Sequence, residues 1–357
     1  MSEIKKPHLI KMNMAVDNDI EGSVFKENVL SLSDCKSAIQ SVFSGTSCYD
    51  LIQQSAKIVV FETTIPCHMA FYALVEHDTN VAPIWDQERH SLVALMTVSD
   101  YIRALRLCNA QNVSMLEFQQ KSIAEVMKST GKFALEHPEF SPLDAEDSIQ
   151  MMCHYFNRTQ YDYVPVVNPD DGSLLSVLGY VDVLHLLNEA AKQHPEYFEV
   201  TLGQMGVRVE TGAHTAMATS MLRDVLGFGD GDNSIGTGKY IQPAVPILNA
   251  DGTVLGIYHK TDVAFVSVKA ADPESVLANL NSMTMDDVLK LQAKLEAAGE
   301  RGRLAAGFSV CSPNDTMAAV IGSMMRTRSA IGVVVNDEQK YVGTTSVRAI
   351  VSCFFDA

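Results

Sequence analysis

The sequence has no apolar run approaching the roughly 18–20 residues that a membrane helix needs. Its opening, Met1-Ser-Glu-Ile-Lys-Lys-Pro7, lacks the apolar stretch and small-residue cleavage site of a secretory signal. The seven cysteines are odd in number, form no C-x-x-C pair, and several lie in apolar segments. Such usage implies buried thiols in a reducing compartment and excludes a disulfide framework. A cytoplasmic setting, extending to the nucleus, is expected. Positive charge is scarce: 27 Lys and Arg stand against 43 Asp and Glu, for a formal charge of −16. That balance repels phosphate backbones and anionic lipid surfaces, so nucleic acid and membrane are not expected partners. A small anion held in one local basic pocket stays open.

Signatures of catalysis and metal binding are missing as well. The ten histidines never form H-E-x-x-H, and no local serine–histidine or cysteine–histidine pattern stands out. The glycine-rich stretch 227–239 imitates two motifs and satisfies neither. As a P-loop it has Asn233 in place of a glycine and Tyr240 in place of a hydroxyl after Lys239. As a calcium loop from Asp230 it has Ile235 and Ile241 where a glycine and an acid belong. An inserted loop is the simpler reading. The 21 glycines and 12 prolines are too few for a fibrous or disordered chain, and 47% hydrophobic residues suffice for ordinary cores.

What is present is a repeat. Four segments share one order: an apolar strand, often with proline, a turn, a second apolar strand, then a helix beginning near an acid. They run Val81–Asp86 with Leu92–Met96, Tyr163–Asn168 with Leu174–Leu178, Pro243–Asn249 with Val254–Tyr258, and Ile331–Asn336 with Tyr341–Thr344. Pro83, Pro165 and Pro246 recur at spacings of 82 and 81, and Asp100, Asp182, Asp262 and Arg348 at 82, 80 and 86. Apolar residues at helical spacing precede each hairpin, such as Ile149, Met152 and Phe156, Met217, Met221, Leu222, Val225 and Leu226, or Met317, Val320, Ile321 and Met324. Each unit therefore reads strand, helix, strand, strand, helix. One unit of about 60 residues buries too little surface to stand alone, so repeat 1 is expected to pair with 2, and 3 with 4.

This pattern resembles four cystathionine-β-synthase (CBS) repeats in two Bateman modules. The words Ser47-Cys-Tyr-Asp-Leu-Ile52, Ser55–Phe61, Ala70–Val75, Ala82-Pro-Ile-Trp-Asp86 and Leu95-Met-Thr-Val-Ser-Asp100 resemble the gamma subunit of AMP-activated protein kinase. The resemblance implies α/β units forming a disc. It divides the chain into a tail (1–45), repeat 1 (46–112), a connector helix with repeat 2 (113–195), repeat 3 with its insertion (196–272) and repeat 4 (273–357). The connector helix is expected over Leu116–Lys128, and a helix beginning at Thr284-x-x-Asp287 is expected before repeat 4.

The resemblance also implies a noncatalytic regulatory subunit that works with alpha- and beta-type partners and holds AMP, ADP or ATP in clefts between repeats. In the family an acid ending an S/T-x-x-D element bonds the ribose hydroxyls, and basic residues hold phosphate. Matched residue by residue, Asp100 with Thr97 and Asp262 with His259 are candidate nucleotide ligands, and Arg326, Arg328 and Arg348 are candidate phosphate contacts. The pattern departs from the family in having Asp182 in repeat 2 and Arg348 in repeat 4. The residues before the middle strands are largely neutral, and Asp162 would repel phosphate. An alternative stays open in which the chain is a gamma-like scaffold without nucleotide sensing. The bland readings are an Asp that only caps a helix, and an Arg348 that forms an inter-repeat ion pair. An enzyme or channel with appended repeats is excluded, because the four repeats consume nearly the whole chain.

Overall fold

The computed structural model describes residues 30–52, 58–111, 113–129, 140–159, 161–228, 243–268, 272–299, 307 and 309–355. Residues 1–29 of the expected tail and 229–239 of the glycine-rich insertion lie outside them.

In chain order, α1 (Leu32–Gly45) and α2 (Cys48–Leu51) precede repeat 1, which comprises β1 (Phe61–Glu62), α3 (Cys67–Glu76), β2 (Val81–Asp86), β3 (Ser91–Thr97) and α4 (Val98–Gln111). Then α5 (Met115–Gln120) and α6 (Ile123–Ser129) lead into β4 (Leu143–Asp144), α7 (Ile149–Thr159), β5 (Tyr163–Val167), β6 (Leu174–Gly179) and α8 (Tyr180–Gln193). A short 3-10 helix (Pro195–Tyr197) and α9 (Leu202–Met205) precede β7 (Ala216–Met217), α10 (Leu222–Val225), β8 (Ala244–Leu248), β9 (Val254–His259) and α11 (Asp262–Val268). Last come α12 (Pro273–Ser282), α13 (Met285–Ala297), β10 (Ser309–Cys311), α14 (Met317–Thr327), β11 (Ile331–Val335), β12 (Tyr341–Ser346) and α15 (Val347–Ser352).

Each repeat carries its own three-stranded sheet, with the first strand parallel to the middle one and the hairpin antiparallel. Among the described residues no sheet runs through two repeats. The middle strands Val-Ala-Pro-Ile, Val-Pro-Val, Ala-Val-Pro-Ile and Ile-Gly-Val-Val-Val are buried almost throughout. Short β-branched runs of this kind suit a strand covered on both faces.

Four capping boxes tie the repeats into pairs. Ser47/Asp50, Ser122/Glu125, Thr201/Gln204 and Thr284/Asp287 each open a helix ahead of one repeat. Each of these leading segments bonds to the other repeat of its pair. Cys48 and Tyr49 donate to Asp147 and Ala145 of repeat 2, and Ile123 and Ala124 donate to Ile65 and Thr63 of repeat 1. Leu202 and Gly203 donate to Asp315 and Pro313 of repeat 4, while Met285 and Asp286 donate to Ser220 and Ala218 of repeat 3. The pairing of 1 with 2 and 3 with 4 thus rests on exchanged helix starts. The sheets support it: Ala244 and Ile257 pack on Ile331, Val333 and Val335.

The larger apolar cores run the other way. One joins the helices of repeats 1 and 3, through Leu74, Ile102, Leu105, Phe118, Val263 and Leu280. A second joins repeats 2 and 4, through Phe156, Leu187, Ile321, Ile350 and Phe354. Every repeat is therefore buried against two others.

Three expectations are corrected. The tail does not extend to residue 45: α1 is a capped helix whose Cys35, Ile39 and Phe43 are buried in the repeat 2/4 core. Their spacing of four residues puts them on one helical face. The connector is two helices, broken where the Ser122 hydroxyl and amide bond the Glu125 carboxylate. In repeat 3, Met217 ends a strand and Met221 caps α10, which is one turn long among the described residues.

Candidate functional site

The same local device joins the last strand to the following helix in three repeats. The amide at the strand end donates to the carboxylate three residues on: Thr97 to Asp100 at 2.8 Å, Gly179 to Asp182 at 2.8 Å, and His259 to Asp262 at 2.7 Å. A carboxylate there meets free N–H groups and the positive end of the helix dipole. Asp100 and Asp262 are 5% and 2% exposed, so they are not the exposed caps that a helix start usually carries.

Register fixes the fourth position. Val81, Tyr163, Ala244 and Ile331 pair with Thr97, Gly179, His259 and Ser346. Three residues beyond Ser346 is Ala349, not Arg348. The recurrence of Asp262 at Arg348 with a spacing of 86 is one residue short. Repeat 4 has no carboxylate at this position, and the Ser346 hydroxyl accepts from the Ala349 amide instead.

The two best-matched acids differ in their partners. One Asp100 oxygen accepts from the Thr97 amide and hydroxyl, and the other meets Arg103 Nη1 at 3.1 Å. Asp262 Oδ2 accepts from the His259 amide and from Gln292 Nε2, each at 2.7 Å. Gln292 comes from α13, the helix exchanged onto repeat 3 from the start of repeat 4. His259 Nε2 lies 3.1 Å from the Gly307 carbonyl, and the Gly307 amide donates to Thr327 at the end of α14. A Cβ at Gly307 would stand 2.8 Å from that Thr327 oxygen, so glycine is required for the approach. This chain of contacts brings His259 and Asp262 to the same end of α14 as Arg326 and Arg328. Both arginines are exposed, and Arg328 closes the helix with a left-handed backbone. Burial, reinforced by the Asp262 charge, raises the Tyr258 phenol well above its usual range.

Arg348 is placed elsewhere. Its guanidinium donates to the Tyr161 carbonyl at 3.0 Å, meets Asp162 at 3.1 Å, reaches the Phe156 carbonyl at 3.4 Å and lies 5.1 Å over the Tyr180 ring. Asp162 also faces Lys260 at 4.0 Å. Repeats 2, 3 and 4 thus meet at one acid, whose charge two cations offset. Asp162 serves this junction, and Arg348 forms the inter-repeat ion pair. Asp182 has its carboxyl raised by burial, opposed by the Gly179 amide and His185.

Of the expected residues, the structure gathers His259, Asp262, Arg326 and Arg328 into one module, leaves Thr97 and Asp100 as a second pair, and removes Arg348. Arg103 and Gln292 were not anticipated. Arg103 lies three residues after Asp100 on a helix, a spacing that brings side chains together. Gln292 carried no local signal, being 30 residues from Asp262.

Such a molecule is built of four like α/β repeats in two exchanged pairs, and its nearest chemical feature to a binding site is the buried acid at a strand-to-helix junction in each pair. A crystal structure from Methanocaldococcus jannaschii, of a proposed archaeal homologue of the AMP-activated protein kinase gamma subunit, has the same fold. Its TM-score is 0.63 at 14% identity, over 85% of this chain and 98% of that one. In sequence, the chain is similar to the kinase's gamma-3 subunit from Bos taurus, 23% identical over 311 residues and 85% of this chain. It is 25% identical over 331 residues, 90% of this chain, to the gamma subunit of Dictyostelium discoideum. The chain spans 57% and 53% of the length of these two relatives. No family model matches it. The resemblance to the gamma subunit, first seen in residues 47–108, therefore extends along most of the chain.

Proposed function

We propose that the chain is a noncatalytic regulatory subunit of gamma type in a heterotrimeric Ser/Thr protein kinase, and that it senses an adenine nucleotide in the repeat 3/4 module. Alpha-type catalytic and beta-type scaffold subunits are its partners, in the cytoplasm and the nucleus. Among the described residues no helix is long and apolar enough to cross a membrane. One observation carries the nucleotide reading: Asp262 is buried beside His259, within a module whose α14 ends in Arg326 and Arg328. A carboxylate accepts two vicinal ribose hydroxyls, and guanidinium groups fork onto phosphate oxygens. Ligand binding would favour one arrangement of the modules, and that arrangement would act on the kinase.

Titration calorimetry of the purified chain and of its trimer with AMP, ADP and ATP tests the reading. Micromolar affinity corresponds to about −8.2 kcal/mol. Loss of a charge-assisted ribose contact of roughly 1.5–3 kcal/mol should weaken it by one to two decades. Asp262→Asn keeps an acceptor for His259 and should show that loss, whereas Asp182→Asn should change affinity little. Equal effects would sink the assignment to Asp262.

A gamma-like scaffold without sensing is the second reading, favoured by Asp100 being held by Thr97 and Arg103 and by Ala349 in the fourth position. Absence of nucleotide binding by both chain and trimer selects it.

A further inference from the structure

The two helical cores are built alike, and one difference between them leaves a space. Register equates Ser346 with His259, so Phe354 and Phe355, eight and nine residues on, correspond to Ser267 and Val268. The bridges Ser47–Ser148 and Ser122–Pro66 likewise equate Phe43 with Phe118 and His154 with Tyr72. In the repeat 2/4 core Phe354 is fully buried, with its ring edge-on to Phe43 at 6.1 Å. Phe355 stacks on Phe43 at 5.6 Å and lies 5.0 Å from His154. The repeat 1/3 core has only a hydroxymethyl group at the Phe354 position.

A cavity open to solvent on one side is found there, walled by α3, α4, α5, α11 and α12. Phe71, Tyr101, Phe118 and Val276 give it apolar walls, and Ser267 and Gln119 supply polar atoms. Ser267 donates to the Val263 carbonyl at 2.8 Å and bonds the Tyr101 hydroxyl. Protein interiors are close-packed, so a space that a ring fills in one half and nothing fills in the other is a departure with a defined shape. Apolar walls with a few convergent polar groups are the composition of a small-molecule site.

We propose that this cavity binds a small aromatic molecule carrying one hydrogen-bonding group, of the phenol or indole class, in the position that Phe354 occupies in the other core. The site lies in the helical interface between repeats 1 and 3, and is separate from the Asp100 and Asp262 carboxylates. Edge-on and offset ring contacts with Phe71, Tyr101 and Phe118 would favour an aromatic over an aliphatic ring of the same size.

Methyl-labelled methionine spectra of the full-length chain, titrated with indole and with phenol, test this. Saturable shifts of the Met115 methyl, a cavity-lining group, are expected at millimolar or lower probe. Ser267→Phe restores the missing ring and should weaken indole binding by roughly tenfold or more, which is the response to filling a pocket. Ser267→Leu, a smaller filling, serves the same purpose if the phenylalanine variant does not fold. An unmoved Met115 signal up to the solubility limit of both probes, or full affinity in a folded filled variant, overturns the proposal.

Discussion

Replacing Arg348 with Met separates a structural arginine from a phosphate ligand. The side chain makes one ion pair with Asp162, a carboxylate that is 49% exposed. Solvent screening holds such a pair to about 0.5 kcal/mol. The bond to the Tyr161 carbonyl adds about 1 kcal/mol, and the cation over Tyr180 adds about 0.5 kcal/mol. The 3.4 Å approach to Phe156 is too long to add much. The expected loss is about 2 kcal/mol, read as a lowered midpoint in urea denaturation of the purified chain. Asp162→Asn removes that ion pair and the longer one with Lys260, and should cost about 0.5–1 kcal/mol. High salt should erase most of the Asp162 effect and little of the Arg348 effect. Nucleotide affinity, if the chain binds nucleotide, should stay within about twofold in R348M, since a group that touches no ligand supplies no differential affinity. An unchanged urea midpoint together with a tenfold weaker nucleotide would refute this reasoning.

Burial raises the thiols of Cys48, Cys153 and Cys311 to about 12 and that of Cys108 to about 11, so a thiol-specific reagent at pH 8 should label these four slowly until denaturant is added. Rapid labelling of any of them in the native chain would contradict that. The Asp182 carboxyl is raised in the folded chain, so its ionisation opposes folding at pH 7 and ceases to do so below its unfolded value. Asp182→Asn should therefore raise the denaturation midpoint at pH 7 by an amount that disappears toward pH 3. Thr284→Ala removes the cap of an exchanged helix start and should cost about 1 kcal/mol in thermal or urea unfolding. Deletion through Gly45 strips Ile39 and Phe43 from the repeat 2/4 core and should prevent stable folding.

The hairpins were legible because their signal is local. Val81–Asp86 runs over the same residues in the sequence reading and in the sheet, and turn residues such as Asn249-Ala-Asp-Gly252 bound the strands. The helix start at Thr284 was visible as a hydroxyl–acid pair for the same reason. Its destination was not, and Ser47, read only as part of a family-like word, was not recognised as a second helix start. A capping box states where a helix begins and says nothing of which repeat its amides will bond, so the exchange of leading segments had no sequence signature. Nor did Gln292, which reaches Asp262 only because α13 crosses to repeat 3. The slip at Arg348 has another cause. The spacing of the acids, about 80 residues, is not constant, because loops between repeats differ in length. Only strand pairing, which allows no half-steps, shows that Ala349 holds the fourth position.

A motif acid explained by the fold is weaker evidence for a ligand than one the fold leaves unexplained. Asp100, Asp182 and Asp262 all cap the strand-to-helix junction, so each has a structural reason to be there. What ranks the clefts is the partner that a ribose would have to displace. At Asp100 it would compete with the Arg103 guanidinium, and a charge-assisted bond is worth roughly 1.5–3 kcal/mol. At Asp262 one side-chain partner is the neutral amide of Gln292, a bond nearer 1 kcal/mol. Asp182 begins from a carboxyl raised by burial, which makes its charged form costly to hold. Repeat 4 offers Ala349 and no acceptor side chain. The ordering that results places Asp262 first, because it joins a buried carboxylate to a module whose α14 ends in two arginines.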